Sequence, residues 1–275
     1  RSALTAIVVD HLTVSRAAAG LGVSWHTANT AILAEGKRRL IDDPTRFDGV
    51  TTIGVDEHVW RHTRLGDKYV TVIIDLTPAR EKTGPARLLD MVEGRSKQVF
   101  KQWLAAQPAD WSKQIEVVAM DGFSGFKTAA AEELPDAVPV MDPFHVVRLA
   151  GDALDRTRQR VQQDTLGHRG HAGDPLYGVR RTLHTGASFL TEKQTARLDA
   201  VFAAEEHVEV EATWGIYQRI VAAYREPDKN KAKEMMRTVI DAVSSGVPAV
   251  LAEIRRLGRT LKQRAADVLA FFDRP

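Results

Sequence analysis

The chain has 275 residues, 44% of them hydrophobic and 27% charged, with a formal net charge of +2. Such a composition fits one large or two to three small globular domains, and it neither demands nor excludes a nucleic-acid partner. The sequence has no cysteine, which excludes disulfides, cysteine zinc sites and thiol nucleophiles in these residues. It also has no apolar run of membrane length and no signal-peptide pattern, so we expect a cytoplasmic protein with no membrane partner.

Residues 1–45 are predicted to form a helix-turn-helix DNA-binding domain. Gly22 can take the left-handed conformation that ends a helix, Ala18 lets a second helix pack closely, and Ser24 is a natural N-cap for that helix. Ile32 and Leu33 are expected to face inward. The start of the second helix in this motif enters the major groove of DNA, and the residues it would present are Trp25, His26, Thr27, Asn29 and Thr30. The same pattern also suits a helical hairpin that serves only packing.

Residues 46–148 alternate between β-rich and helical patterns, which predicts an α/β layer with parallel strands. Strands are expected around Val55 and at 69–74, 117–120 and 138–141, and helices at 96–107 and 124–134. Residues 149–275 contain no strand pattern and are predicted to form an all-helical domain. One helix of that domain should begin at Thr191, because Thr191 and Gln194 have the spacing of a capping box.

Two aspartates stand at positions where the strand patterns predict metal chemistry. Asp56 interrupts a strand-like run at 51–60, and Asp121 ends the apolar run 115–120. A carboxylate buried in a sheet is costly unless it is paired or binds a metal, and oxygen ligands suit Mg²⁺, with Mn²⁺ as a substitute. On neighbouring strands the two residues would bind metal and act in catalysis of phosphoryl transfer. Alternatively, Asp56 hydrogen-bonds locally and Asp121 begins an ordinary turn before Gly122.

Three further residues are candidates for contacts to the metal ligands or to DNA. Glu57 directly follows Asp56, and Asp142 and His145 follow the next strand. A helix N-cap at Asp142 and a packed ring at His145 would explain those two residues equally well. The chain has no Gly-x-x-x-x-Gly-Lys-Ser/Thr loop, so we expect no ATP-driven step.

Four segments resemble those of the ISL-three family of insertion-sequence transposases: Ile53–Glu57, Lys68–Leu76, Val118–Asp121 and Val140–Arg148. The resemblance implies an RNase H-like fold, a DDE active site that uses Mg²⁺, and a helical insertion before the last acidic residue. Asp56 and Asp121 match the first two acids of that triad. It also implies DNA as the partner, both the terminal inverted repeats of the element and the target, and the pairing of two DNA ends is compatible with a homodimer. We therefore expect residues 46–148 to be the first part of the RNase H-like core and 149–275 to be the insertion.

The third acid of the triad is not evident in the sequence. In the family it is a Glu flanked by Asn, but Asn29 and Asn230, the only asparagines, lie in other contexts. Four glutamates inside the insertion are expected to form a solvated helix face: Glu205, Glu206, Glu209 and Glu211. We therefore expect the third acid, with the rest of the core, beyond Pro275. The alternatives are a sequence-specific DNA-binding protein that keeps the scaffold without nuclease activity, and a cellular nuclease or Holliday-junction resolvase on the same fold.

Overall fold

The computed structural model describes residues 3–60 and 68–274 and divides them into two compact units. Unit 1 holds the residues up to Val118 together with Ser124–Ala137, and unit 2 holds Ala119–Phe123 together with the residues from Val138 onward. No helix in the described part of the chain has both the length and the apolar character that a membrane crossing requires.

Unit 1 begins with three helices, α1 (Ala3–Val8), α2 (Val14–Leu21) and α3 (Trp25–Leu40). The two predicted caps are confirmed. Gly22 ends α2 with a φ of 64°, and the Ser24 hydroxyl oxygen accepts a hydrogen bond from the Thr27 amide at 3.1 Å at the start of α3.

The core face of α3 differs from the prediction at one residue. Ala28 is fully buried and Ile32, one turn later, is half-buried. Leu33 is 64% exposed, so the prediction that it faces inward is wrong. Successive helical residues are about 100° apart, so Ile32 shares the face of Ala28 whereas Leu33 points away from it.

Five strands form one sheet in the order β3-β2-β1-β4-β5. Their bounds are β1 Thr52–Val59, β2 Tyr69–Asp75, β3 Arg87–Glu93, β4 Val117–Met120 and β5 Val138–Met141. β1 pairs antiparallel with β2, and β2 pairs antiparallel with β3. The expectation of parallel strands is therefore wrong for β1 and β2, because a connection as short as the one between them can form a hairpin but not a crossover.

The helices of unit 1 that follow the hairpin are α4 (Thr77–Arg80), α5 (Lys97–Ala105), α6 (Ala109–Gln114) and α7 (Ser124–Glu133). α5 and α7 confirm the two predicted helices. The Phe100 and Phe126 rings are fully buried and meet edge to face with centroids 5.5 Å apart. Trp103 adds a polar anchor, since its indole nitrogen donates to the Asp90 carboxylate on β3 at 2.8 Å.

After β5, the described residues of unit 2 form helices joined by loops and contain no strand, as the sequence predicts. Its helices are α8 Pro143–Leu166, α9 Pro175–Gly178, α10 Glu192–Phe202, α11 Val208–Arg225, α12 Lys229–Ser244, α13 Ala252–Gln263 and α14 Ala265–Asp273. The capping box at Thr191 is confirmed, with the Gln194 amide 3.3 Å from the Thr191 hydroxyl oxygen. α14 packs against β5, and a continuous apolar core joins α8 to the later helices.

One of the four glutamates expected on a solvated face is instead part of an ion-pair network. Glu205, Glu206 and Glu211 are exposed. Glu209 is half-buried and its carboxylate lies 2.6 Å from the Arg160 guanidinium, which also pairs with Glu253 at 2.9 Å. Arg160 thus links α8, α11 and α13, and Glu209 has a structural role.

Candidate active site

Asp56 lies on β1 at the point where the buried part of the strand ends. The four residues before it are buried, whereas Asp56 is exposed. Its carboxylate accepts a hydrogen bond from the Glu57 amide at 2.7 Å, and its partner across the β1–β2 ladder is Val72. The desolvation argument for a buried carboxylate therefore does not apply to Asp56. Asp56 is instead an exposed acidic residue on a strand whose preceding residues are buried.

Glu57, the next residue, is directed to a different partner. Its carboxylate is half-exposed and lies 3.3 Å from the Arg95 guanidinium, which also stacks on the Tyr69 ring at 3.9 Å from its centroid. Glu57 therefore belongs to a surface ion pair that joins β1 to the segment after β3.

Asp121 follows β4, which is the neighbour of β1 in the strand order. The residue is half-buried, and one carboxylate oxygen accepts a hydrogen bond from the Phe123 amide at 2.8 Å. This bond closes a tight turn over Gly122. Asp121 thus begins the turn before Gly122 that the sequence suggests as the alternative to a metal-binding role. Its carboxylate is held in one orientation by that turn.

Asp142 and His145 lie beside the Asp121 turn in unit 2. The Asp142 amide donates to the Met120 carbonyl at 2.8 Å, and both Asp142 carboxylate oxygens cap α8 by accepting from the Phe144 and His145 amides at 3.1 and 3.3 Å. The His145 ring packs on the turn, since a Cβ atom at Gly122 would lie only 2.6 Å from its Nε2. The N-cap and packing roles considered for these two residues are both observed.

Arg264 is a further residue of this neighbourhood that the sequence analysis did not single out. It is only 7% exposed, and one terminal nitrogen donates to the Gly122 carbonyl oxygen at 3.2 Å. Its Nε pairs with the Asp267 carboxylate at 2.5 Å. The available signal in the sequence is the i,i+3 spacing of Arg264 and Asp267, which predicts a pair but not its contact with Gly122.

The donor chemistry of the two candidate aspartates fits a hard divalent cation, because carboxylate oxygens are the ligands that Mg²⁺ and Mn²⁺ prefer. Residues 3–60 and 68–274 nevertheless contain no group of three or more His, Asp or Glu side chains arranged to hold a metal ion.

The residues predicted to contact DNA lie in the first turns of α3. Trp25 is 51% exposed, His26, Thr27 and Thr30 are exposed, and Asn29 is half-buried. Thr27 also takes part in the cap, because its hydroxyl lies 2.8 Å from the Ser24 hydroxyl. The start of α3 therefore exposes an aromatic ring and several polar groups.

The far end of α3 carries three exposed cations, Lys37, Arg38 and Arg39. Hydrogen bonds from Arg38 and Arg39 lower the pKa of Glu35 to about 2, and Lys37 pairs with Asp42 at 2.5 Å. These acids offset part of the positive charge that the helix would offer to a phosphate backbone.

The family profile and the relatives that this chain resembles are described as transposases. The profile of the ISL-three DDE family, described as transposase, matches residues 53–275. The chain is 28% identical over 200 residues to the transposase of insertion sequence element IS1557 from Mycobacterium tuberculosis, an alignment that covers 64% of this chain and 42% of that protein. It is 25% identical over 189 residues to the transposase of IS1001 from Bordetella parapertussis, covering 67% of this chain and 42% of that protein.

The chain thus spans less than half the length of these curated relatives. The family profile, in contrast, covers most of the chain, including both candidate aspartates. The resemblance in the sequence is confirmed by this match. The chain belongs to the ISL-three family of DDE transposases.

Proposed function

We propose that this chain is the part of an insertion-sequence transposase that binds the ends of its element and takes part in cutting and joining DNA. The observation that carries the proposal is the family match over residues 53–275, which includes Asp56 on β1 and Asp121 directly after β4, the neighbour of β1 in the sheet order. In this proposal residues 46–148 are the first part of an RNase H-like core, and the helices from residue 149 are an insertion in it.

Asp56 and Asp121 are the proposed catalytic acids and metal ligands. Two observations support these roles. Asp56 is exposed, and the Asp121 carboxylate is oriented by its hydrogen bond from the Phe123 amide. Bound Mg²⁺, or Mn²⁺ in its place, would supply activation of the attacking oxygen and stabilisation of the leaving oxygen. The two side chains would hold such cations at the scissile phosphate.

The reaction consists of two phosphoryl transfers. Water attacks a phosphodiester and the bond from phosphorus to the 3′ oxygen breaks, which leaves a 3′ hydroxyl and a 5′ phosphate. That hydroxyl then attacks a phosphodiester of the target, forming a new phosphorus–oxygen bond as the target's own 3′ oxygen leaves. A third acid completes the triad in this family, and the sequence contains no Glu flanked by Asn that would match it.

DNA binding is assigned to the start of α3. In a helix-turn-helix, the first residues of the second helix contact base edges in the major groove. The exposed side chains of Trp25, His26, Thr27 and Thr30, with the half-buried Asn29, support that role. The DNA partners would be the terminal inverted repeats and the target, and the joining of two ends would be compatible with a homodimer.

The test is strand transfer by the full-length transposase carrying Asp121→Asn or Asp56→Asn. Each variant should lose strand transfer and still bind inverted-repeat DNA, because the amide keeps the shape of the side chain and removes the metal-binding charge. Asp110→Asn is the matched control, since the Asp110 side chain is 99% exposed on α6 and should be replaceable without effect. Strand transfer by the Asp121→Asn variant at the wild-type rate would refute the assignment.

A second candidate function is sequence-specific DNA binding without nuclease activity. It is favoured by the lack of a three-ligand metal group among the described residues. Under this alternative the wild-type protein binds the inverted repeat but neither cuts nor joins DNA in the presence of Mn²⁺. The same assay therefore separates the two functions.

A further inference from the structure

Arg264 is a buried cation between α13 and α14 whose contacts lead to the turn of Asp121. Its guanidinium bridges two groups that are far apart in sequence. Nε pairs with Asp267, which is 2% exposed, and Nη1 donates to the carbonyl oxygen of Gly122. The acceptor on Gly122 belongs to the residue directly after Asp121, so the helical part of unit 2 holds the backbone of the turn.

The turn is also held from the side of α8. A Cβ atom at Gly122 would lie 2.6 Å from Nε2 of His145, so the ring leaves no room for the glycine to move toward it. The Asp121 carboxylate closes the turn by accepting from the Phe123 amide. Two contacts from other elements and one hydrogen bond within the turn therefore fix a segment of three residues.

Stability alone does not account for Arg264. Its Nη2 is buried and has no hydrogen-bond partner among the described residues. A buried donor without a partner costs about 1–3 kcal/mol, and a buried ion pair is often no more stabilising than apolar side chains of similar size. Arg264 therefore does not owe its place to stability. Its hydrogen bond to Gly122, next to the proposed catalytic acid Asp121, is better explained by a role in orienting that turn.

We propose that Arg264 is a positioning residue that holds the Gly122 carbonyl and so fixes the Asp121 carboxylate for metal binding. Asp267 orients the guanidinium for this contact. The inference rests on the proposed function, because the orientation of the Asp121 carboxylate matters in this way only if Asp121 is a metal ligand. Residues that orient metal ligands typically change metal affinity about 10- to 100-fold when they are replaced.

Arg158 provides a matched control in the same unit. It is also buried, at 5% exposure, and its guanidinium donates to Gln162 at 2.7 Å and lies 3.5 Å from Asp155. It stands sixteen residues beyond Asp142 on α8, which is about 24 Å along the helix axis. Loss of Arg158 should therefore destabilise the fold without reaching the Asp121 turn.

The experiment measures Mn²⁺ binding and strand transfer by the full-length transposase carrying Arg264→Gln or Arg158→Gln. Binding is followed without DNA through the electron paramagnetic resonance signal of free Mn²⁺. Arg264→Gln should weaken Mn²⁺ binding at least about tenfold and raise the Mn²⁺ concentration for half-maximal strand transfer by a similar factor. Arg158→Gln should leave both within about twofold of the wild type. Equal Mn²⁺ curves for the two variants would overturn the inference.

Two further variants keep the outcome decisive. If Arg264→Gln does not fold, the double replacement Arg264→Met with Asp267→Leu removes the pair as a whole, which proteins commonly tolerate. It should show the same loss of Mn²⁺ affinity, and a wild-type affinity would overturn the inference. Asp121→Asn separates the two proposals. If it binds Mn²⁺ as the wild type does, the proposed function fails, whereas loss in Asp121→Asn with full binding in the Arg264 variants refutes only the positioning role.

Discussion

The crossing of α12 and α13 makes a quantitative prediction about Gly258. A Cβ atom built on this glycine would lie 1.8 Å from the Val243 carbonyl oxygen and 2.6 Å from its carbonyl carbon. Ordinary contacts between such atoms begin near 3.5 Å, so an alanine would have to move the two helices farther apart by about 1.7 Å. The atoms in the way are backbone atoms, and Val243 and Leu257 beside them are buried in the core of unit 2. Neither helix can yield without disturbing that core.

Two opposing effects determine how much Gly258→Ala changes the free energy of unfolding. Alanine has a higher helix propensity than glycine, by about 1 kcal/mol. Overpacking a core typically costs about 1–3 kcal/mol, and a clash with backbone belongs at the upper end or above it. The net expectation is a loss of about 2 kcal/mol or more in the free energy of unfolding.

Gly215 on α11 is the matched control for this prediction. Nothing lies within 4 Å of a Cβ atom at that position, so Gly215→Ala should gain up to about 1 kcal/mol from helix propensity alone. Equilibrium urea unfolding of the chain measures both variants, and their free energies of unfolding should differ by about 3 kcal/mol. A Gly258→Ala variant as stable as Gly215→Ala would refute the close helix crossing.

Two further predictions concern pH and DNA. Hydrogen bonding between His184 and Asp155 raises the pKa of His184 and lowers the pKa of Asp155, so His184→Gln should lose stability mainly between about pH 4 and 6.5. The contribution of the raised histidine pKa is lost as pH rises through its folded value, and urea unfolding that gives the same difference at pH 5 and pH 8.5 would contradict this ion pair. Replacement of His26 or Thr30 by alanine should weaken binding to inverted-repeat DNA by about 1–3 kcal/mol, or roughly 5- to 150-fold, measured by fluorescence anisotropy at fixed salt. Thr195→Ala on α10 is the control, and equal affinities for all three variants would exclude the start of α3 as a base-reading surface.

Local signals in the sequence predicted local structure well. Gly22, Ser24 and Thr191 mark helix ends because the groups they satisfy lie within three or four residues along the chain. The helical character after β5 follows in the same way from periodicity. β3 was missed because Arg87, Asp90 and Glu93 interrupt the apolar alternation of that strand. Its pairing with β2 is a contact between separate segments, which a short stretch of sequence does not reveal.

Contacts between distant segments were the part that the sequence left open. Arg264 and Gly122 are 142 residues apart, and nothing in either segment indicates that they meet. The sequence predicts Glu209 on a solvated helix face of the insertion, but its partner Arg160 lies 49 residues earlier on another helix. Asp56 was expected to be costly to bury, yet its side chain is exposed. Family resemblance, rather than burial, is therefore the stronger argument for its role.

Anomalous diffraction from crystals of the full-length transposase soaked in Mn²⁺ is the most direct test of the metal-binding role of the two aspartates. A manganese peak at coordination distance, roughly 2 Å, from carboxylate oxygens of both Asp56 and Asp121 is the predicted result. A peak that touches neither residue, or carboxyl groups more than about 10 Å apart, would contradict a shared metal centre.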